Sequence, residues 1–225
     1  MLAMKMEMQT QPTTHGGNGF TLIELLVVIG VAAVLLVFLL PALRIPDGRV
    51  NKINCVNNLK QIGLSFREWA VDNDEKYPMH FAVTNDPMMR LVGRGNAFVL
   101  WQTLSNELSA PRILICPDDG QHKAAINFDV GFSDANISYF LNLDADCDDP
   151  EMILAGDDNF AVNGKPVQPG ILNLSTNTFI EWTAARHHLT GNILLADGSV
   201  QTITSAALQA AFRQPGVATN RPVIP

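Results

Sequence analysis

The sequence predicts an α+β protein, in which a long N-terminal helix precedes a globular domain with a small antiparallel sheet. Residues 20–40 form an apolar run that is interrupted only near its start by Glu24. Residues 50–72 place apolar side chains at helical spacing, which predicts an amphipathic helix that needs a sheet to pack against. The last third of the chain contains β-rich runs and the strong hairpin turn Asp197-Gly198.

The apolar run has the length of a membrane-spanning helix. Leu25 to Leu40 contain no charged or polar side chain. As a helix, Phe20 to Leu40 spans about 30 Å, the thickness of a bilayer's hydrocarbon core. A carboxylate such as Glu24 costs roughly 2.5–3.5 kcal/mol at the centre of a bilayer and less near its edge. We therefore treat Glu24 as a functional residue; the alternative is an ordinary signal anchor with an incidental glutamate.

The motif GFTLIE, Gly19 to Glu24, resembles the type III signal of type IV prepilins and of type II secretion pseudopilins. The resemblance implies that a prepilin peptidase cuts between Gly19 and Phe20 and that the new amine of Phe20 is methylated. It further implies that Glu24 pairs with the free amine of a neighbouring subunit. Two charges that are each costly in apolar surroundings become tolerable when they are paired.

Two further segments resemble a prepilin-like group common in planctomycetes and verrucomicrobia. The first begins at Cys55 and reads C-x-x-N-L-K-Q-I-G-L, and the group also has a Cys-Pro pair where this chain has Cys116-Pro117. The second is the H-x₉-D-G motif of His187, Asp197 and Gly198. The resemblance implies a pilin-like architecture. We expect His187 and Asp197 to hydrogen-bond across a hairpin and fix its turn; a metal site is the alternative.

The predicted organisation has five parts. They are a leader at 1–19, a transmembrane helix at 20–43, its amphipathic continuation at 44–75, a globular domain at 76–214 and a flexible Pro-rich tail at 215–225. The turn formers Pro46, Asp47 and Gly48 predict an interruption between the two helices. Within the domain we expect helices at 97–108 and 206–212, and strands at 112–117, 136–141, 177–182, 192–196 and 199–203; the hairpin at 177–203 is expected in the main sheet.

The three cysteines lack the C-x₂₋₄-C spacing of a zinc site. In an oxidising compartment two of them are expected to pair. We favour a disulfide between Cys55 and Cys116, with Cys116 and Cys147 as the alternative. The remaining thiol is then either reactive or buried and inert.

An acidic loop carries Asp144, Asp146, Asp148 and Glu151 within eight residues. Alternating carboxylates suit Ca²⁺, which takes six to eight oxygen ligands. The EF-hand spacing is absent, so a solvated acidic loop without calcium is the alternative. No other cofactor is predicted.

Composition and motifs exclude several functions. The net charge is −7 and the chain has no basic run, which argues against nucleic acid as a partner. The sequence contains neither the phosphate loop G-x-x-x-x-G-K-[ST] nor a nucleophile elbow. The chain is therefore not expected to be an enzyme.

The resemblance implies a structural pilin or pseudopilin subunit that assembles into a type II secretion pseudopilus or a type IV pilus-like fibre. Its partners would be the prepilin peptidase, other pilin subunits, the inner membrane and the secretion or assembly platform. It would cross the inner membrane once with its domain in the periplasm, or lie in an extracellular filament. The alternative is a membrane-tethered module that binds polysaccharide, calcium or a secretion substrate and does not polymerise.

Overall fold

The computed structural model describes residues 20–42, 47–81, 87–213 and 219–225. These residues belong to two compact units, Met1–Ile45 and Pro46–Pro225. The predicted leader with Gly19 lies outside the described residues, as do residues 43–46 of the predicted interruption. Each unit is a separate body with its own contacts.

The first unit contains helix α1, Leu22–Ala42, which is 21 residues long. Most of its residues are Leu, Ile, Val and Ala, and each backbone N–H can donate to the carbonyl four residues earlier. Its proline lies in the last turn. The transmembrane helix at 20–43 stays a prediction. Among the described residues, no helix is long and apolar enough to cross a membrane.

The second unit begins with helix α2, Asp47–Asp72. Cys55, Leu59, Ile62 and Phe66 are each fully buried, and their spacing of three or four residues defines one face of the helix. Ile53 is also one of the apolar residues at helical spacing in the sequence, but it lies outside this face, because its side chain is 61% exposed. Ile53 lies two positions before Cys55, which is about 200° around a helix.

The remaining elements of the second unit are short. The helices are α3 Pro78–Phe81, α4 Pro87–Val92, α5 Phe98–Thr103 and, near the C-terminus, α6 Ser205–Ala211. The strands are β1 Tyr139–Asn142, β2 Ile153–Asp157, β3 Phe160–Val162, β4 Lys165–Pro166, β5 Gly170–Ile171, β6 Leu174–Ser175, β7 Ile180–Trp182, β8 Thr190–Leu195, β9 Val200–Thr204, β10 Thr219–Asn220 and β11 Pro222–Ile224.

The main sheet is antiparallel and has the strand order β5-β11-β1-β2-β8-β9. Helix α2 packs against β8 and β9, which confirms the α+β class with a helix on an antiparallel sheet. The buried face of α2 and one face of this sheet enclose the larger core, which includes Trp101, Tyr139 and Leu194. A smaller core around Phe140, Phe160 and Trp182 lies on the other face.

The hairpin predicted around Asp197-Gly198 is confirmed as β8 and β9, with Leu194 paired to Val200. Gly198 has a φ of +85°, a conformation that side-chain-bearing residues rarely adopt. The prediction that residues 177–182 join the same sheet is wrong. Strand β7 pairs instead with β3 in a separate sheet of order β4-β3-β7.

Two other predictions require correction. Residues 112–117 were expected to form a strand, but Pro111–Leu114 form a 3₁₀ turn, since proline presets the helical φ at its first position. The tail at 215–225 was expected to be flexible. Its last residues form β10 and β11, and Val223 is fully buried between β1 and β5. Residues 214–218 lie outside the described residues.

Candidate functional site

The start of α1 is closed by a reciprocal pair of hydrogen bonds between Thr21 and Glu24. Glu24 Oε2 accepts from the Thr21 backbone N at 2.9 Å and from Thr21 Oγ1 at 2.8 Å. Thr21 Oγ1 in turn accepts from the Glu24 backbone N at 3.3 Å. This is a capping box, which satisfies backbone N–H groups that have no partner within the helix. Glu24 therefore has a local structural role besides the one that the resemblance implies.

The side chains of α1 form an apolar surface on all sides of the helix. From Phe20 to Phe38 every described side chain is exposed. Phe20 is 82% exposed and Phe38 75% exposed. An apolar surface of this extent is typical of a segment that is covered by lipid or by other protein chains.

A second site lies inside the globular unit, where four potential metal ligands meet. Cys55 comes from α2, Cys116 from the loop after the 3₁₀ turn, Asp157 from the end of β2 and His187 from the residues before β8. Their ligand atoms all lie within 4.8 Å of one another, and all four residues are buried. We call these four residues the Cys-His-Asp cluster.

The cluster contains close polar contacts. Cys116 Sγ lies 3.1 Å from His187 Nε2. Cys55 Sγ donates to Asp157 Oδ1 at 3.1 Å, and His187 Nε2 lies 3.6 Å from Asp157 Oδ2. The side chains of His187 and Asp157 are both fully shielded from solvent.

A shell of polar groups surrounds the cluster. The backbone N and Nδ2 of Asn192 donate to Asp157 Oδ2 at 2.7 and 3.0 Å, and Nδ2 also lies 3.3 Å from Cys55 Sγ. Tyr139 contacts Cys55 Sγ through its hydroxyl at 3.3 Å. Asp118 Oδ2 lies 2.9 Å from His187 Nδ1, which is within ion-pair distance but outside hydrogen-bond geometry. The cluster is therefore held in place on several sides.

Burial and neighbouring groups shift the protonation equilibria of the cluster. Burial raises the pKa of Cys55 well above its ordinary value. The hydrogen bond with Cys55, and then that with His187, lower the pKa of Cys116 despite its burial. Burial alone would lower the pKa of His187, but contact with Cys116 and the charge of Asp157 raise it. Contact between Cys116 and His187 therefore shifts their two pKa values in opposite directions.

The backbone at His187 adopts an unusual conformation. His187, His188 and Leu189 have φ values of 52°, 52° and 61°, three consecutive left-handed residues without a glycine. Such residues each cost about 1–3 kcal/mol and cluster at functional sites. The Thr190 hydroxyl donates to the His187 carbonyl at 2.6 Å and holds this turn.

The same segments form a cavity beside the cluster. Three residues that line the cavity are adjacent in sequence to Asp118, Asp157 and His187. Those neighbours are Asp119, Asp158 and Arg186, and the cavity has a volume of about 340 Å³. Arg186 forms ion pairs with the carboxylates of Asp119 and Asp158.

The expected hydrogen bond between His187 and Asp197 is a wrong prediction. Asp197 Oδ1 accepts from the backbone N of Ser199, and its carbonyl accepts from Arg67 Nη1. His187 lies before β8 and Asp197 lies after it, and a six-residue strand spans roughly 20 Å. The two residues of the H-x₉-D-G motif therefore occupy opposite ends of one strand.

The structure brings three of the predicted site residues together. Cys55 and Cys116, predicted as a disulfide pair, both lie in the cluster as free thiols, and Cys147 lies outside it. Their disulfide stays a prediction. Sequence reasoning missed Asp157, although a carboxylate that directly follows the uncharged run Ile153 to Gly156 is a recognisable signal.

The acidic loop has other partners. Arg221 donates to Asp144 Oδ1 through Nε at 2.8 Å, and His80 Nε2 lies 3.3 Å from Asp146 Oδ2. Asp146 Oδ1 also accepts from the backbone N of Asp148. Calcium binding at Asp144, Asp146, Asp148 and Glu151 stays a prediction.

Comparison with known families gives one match. Residues 16–40 match the model of the prokaryotic N-terminal methylation motif. No curated protein and no solved structure matches the chain. The match supports a prepilin-type protein, whose motif implies processing by a prepilin peptidase and suggests a structural subunit rather than an enzyme. It covers most of α1 and none of the globular unit.

Proposed function

We propose that the chain is a pilin or pseudopilin subunit. In this proposal it is cut between Gly19 and Phe20, anchored in the inner membrane by the apolar helix, and assembled into a type II secretion pseudopilus or a type IV pilus-like fibre. The observation that carries the proposal is the methylation motif at residues 16–40 on a helix whose described side chains are all exposed.

The membrane anchor is proposed from the sequence as a whole. The described side chains of α1 end at Phe38, and the same uncharged run continues to Leu40. In a bilayer this surface contacts lipid, and in a fibre it contacts the same helix of neighbouring subunits. Both environments remove the apolar side chains from water, at about 25 cal/mol for each Å² that is buried.

Glu24 distinguishes an assembling subunit from a monomeric tether. In an assembling subunit its carboxylate pairs with the methylated amine of Phe20 on a neighbour. In a tether it serves only the capping box. A glutamine at this position preserves the cap, because the amide oxygen accepts the same hydrogen bonds, but it removes the charge.

The test is chemical cross-linking of the full chain in membranes of a host that contains a prepilin peptidase. The variants are Glu24→Gln, which keeps the cap and loses the charge, and Thr21→Ala, which loses the cap hydroxyl and keeps the charge. We expect ladders of cross-linked subunits for the wild type and Thr21→Ala, and their loss for Glu24→Gln. Equal processing of all three chains, read from their intact mass, is the control.

If Glu24→Gln gave the same ladder of cross-linked subunits as the wild type, the result would contradict a role of the Glu24 charge in assembly. Absence of a ladder in the wild type would favour the alternative, a tethered module that binds polysaccharide, calcium or a secretion substrate. The polar cavity beside Arg186 would be the first place to look for its ligand.

A further inference from the structure

We propose that Cys55, Cys116, Asp157 and His187 together bind one Zn²⁺ ion at a closed structural site. The inference rests on the globular unit alone and does not depend on the proposed filament function. The three segments that resemble the prepilin-like group, around Cys55, Cys116 and His187, meet at this cluster. Asp157 completes a set of four ligands.

The four potential ligands lie close enough together for one zinc ion, since their ligand atoms are all within 4.8 Å of one another. Bonds of about 2.3 Å to sulfur and 2.0–2.1 Å to nitrogen and oxygen give tetrahedral edges of about 3.3–3.8 Å. The observed separations are 3.1 Å for Cys116 Sγ to His187 Nε2, 3.1 Å for Cys55 Sγ to Asp157 Oδ1 and 3.6 Å for His187 Nε2 to Asp157 Oδ2. A shift of a few tenths of an ångström brings the shorter pairs to the edge lengths of the tetrahedron.

The charge balance of the interior also favours a cation. Asp157 is fully buried, and among the described residues no Lys or Arg lies within ion-pair distance of it. The neighbouring buried carboxylates Asp119 and Asp158 are both paired with Arg186. Since an unpaired buried carboxylate is strongly destabilising, Asp157 needs positive charge from within the cluster. Zn²⁺ supplies it.

The polar shell is arranged as in other zinc sites. A zinc-ligating histidine donates its second ring N–H to a carboxylate or carbonyl group, which fixes its orientation. Asp118 Oδ2 stands 2.9 Å from His187 Nδ1, and a small rotation of the ring completes this bond. Asn192 holds Asp157 through two N–H groups and also contacts Cys55.

The donor set selects the metal and the type of site. Two thiolates and an imidazole favour zinc over calcium or magnesium, which prefer oxygen ligands. Four protein ligands leave no position for water or substrate, which defines a structural rather than a catalytic site. Burial also argues against a Cys116–His187 catalytic pair, because Cys116 is fully shielded from solvent.

Zinc binding would stabilise the fold by joining distant parts of the chain. The ligands come from α2, a loop, the end of β2 and the turn before β8. Both thiols must be deprotonated to bind the metal, so binding releases protons and weakens at low pH. The strained left-handed turn at His187 is then held by a metal bond as well as by Thr190.

The experiment measures metal in the full chain purified in detergent without chelators from zinc-supplied cells. We expect about one zinc ion per chain by elemental analysis. Cys116→Ser should lower this content by at least about tenfold. Cys147→Ser is the matched control, because its thiol lies outside the cluster, and it should keep the metal.

A second measurement on the wild-type chain keeps the inference testable if Cys116→Ser fails to fold. Replacement of zinc by Co²⁺ should give thiolate-to-cobalt charge-transfer bands and the intense visible bands of tetrahedral cobalt. These bands should be present in Cys147→Ser as well. Metal-free chains with a Cys55–Cys116 disulfide, read as the loss of two hydrogens in the intact mass, would overturn the inference. Metal-free chains with reduced thiols, or equal zinc in Cys116→Ser, would overturn it too.

Discussion

Replacing Arg186 by methionine tests how much the buried ion pairs beside the Cys-His-Asp cluster stabilise the globular unit. The Arg186 side chain is 8% exposed, and its Nη1 donates to the Ser138 carbonyl at 3.0 Å. Nη1 lies 3.2 Å from Asp119 Oδ2, and Nη2 contacts Asp158 Oδ1. Both carboxylates are nearly buried, with side chains 3% and 7% exposed. Methionine keeps the apolar stem and leaves both carboxylates without their guanidinium.

Breaking a buried ion pair by removing one partner costs about 3–5 kcal/mol. A unit of this size loses about 2–4 °C of melting temperature for each kcal/mol. We therefore expect Arg186→Met to lower the melting temperature by roughly 6–20 °C at neutral pH.

The decrease in melting temperature caused by Arg186→Met should depend on pH. Burial raises the pKa of Asp119, but the hydrogen bond with His122 and the charge of Arg186 outweigh it and hold that pKa well below its ordinary value. A carboxyl whose pKa is lowered by folding stabilises the protein above its unfolded pKa of about 3.9 and loses that contribution as the pH falls below it. Without Arg186 the folded pKa rises, so the difference from wild type should be large at pH 7 and shrink as the pH falls below about 4.

The assay is thermal unfolding of the full chain in detergent, followed by circular dichroism from pH 7 down to about pH 2. Arg67→Met is the matched control, because Arg67 is exposed and donates only to the Asp197 carbonyl. We expect this control to lose less than about 1 kcal/mol. The reasoning is refuted if Arg186→Met loses as little as the control, or if its loss is the same at every pH.

Two other substitutions test the packing of the globular unit by the same unfolding assay. A Cβ at Gly191 would lie 2.5 Å from ring carbons of the buried Trp182, so Gly191→Ala should cost about 1–3 kcal/mol or more, while Gly120→Ala meets open space and should be neutral. Val223→Ala should cost roughly 1–3 kcal/mol because Val223 is fully buried in β11, whereas Val130→Ala, at a side chain 90% exposed, should change little. Equal effects of either substitution and its control would contradict the packing described for that position.

Local sequence patterns predicted the elements that depend on local physics. The helical spacing of Leu59, Ile62 and Phe66 indicated the buried face of α2, and Asp197-Gly198 indicated the β8–β9 turn. The tail was mispredicted, because prolines at 222 and 225 suggested a chain without regular structure. Pro222 opens β11, where a strand tolerates proline.

The cluster could not be assembled from the sequence, because it depends on the lengths of long-range elements. Nine residues lie between His187 and Asp197, and we interpreted them as part of a hairpin that brings the two together. Residues Thr190–Leu195 instead form strand β8, which keeps His187 and Asp197 apart. Strand β8 lies along α2. Lys52 donates a hydrogen bond to the Thr190 hydroxyl at one end, and Arg67 donates one to the Asp197 carbonyl at the other. This alignment places Cys55 beside His187, which sequence spacing alone does not reveal.

The central claim is that this chain is a processed prepilin-type subunit. The most direct measurement is the intact mass and N-terminal sequence of the protein extracted from membranes, with and without an active prepilin peptidase. We predict a mature chain that begins at N-methylated Phe20 and appears only when the peptidase is active. A chain that stays uncut, or that is cut at another position, would contradict the claim and leave residues 16–40 as an ordinary anchor.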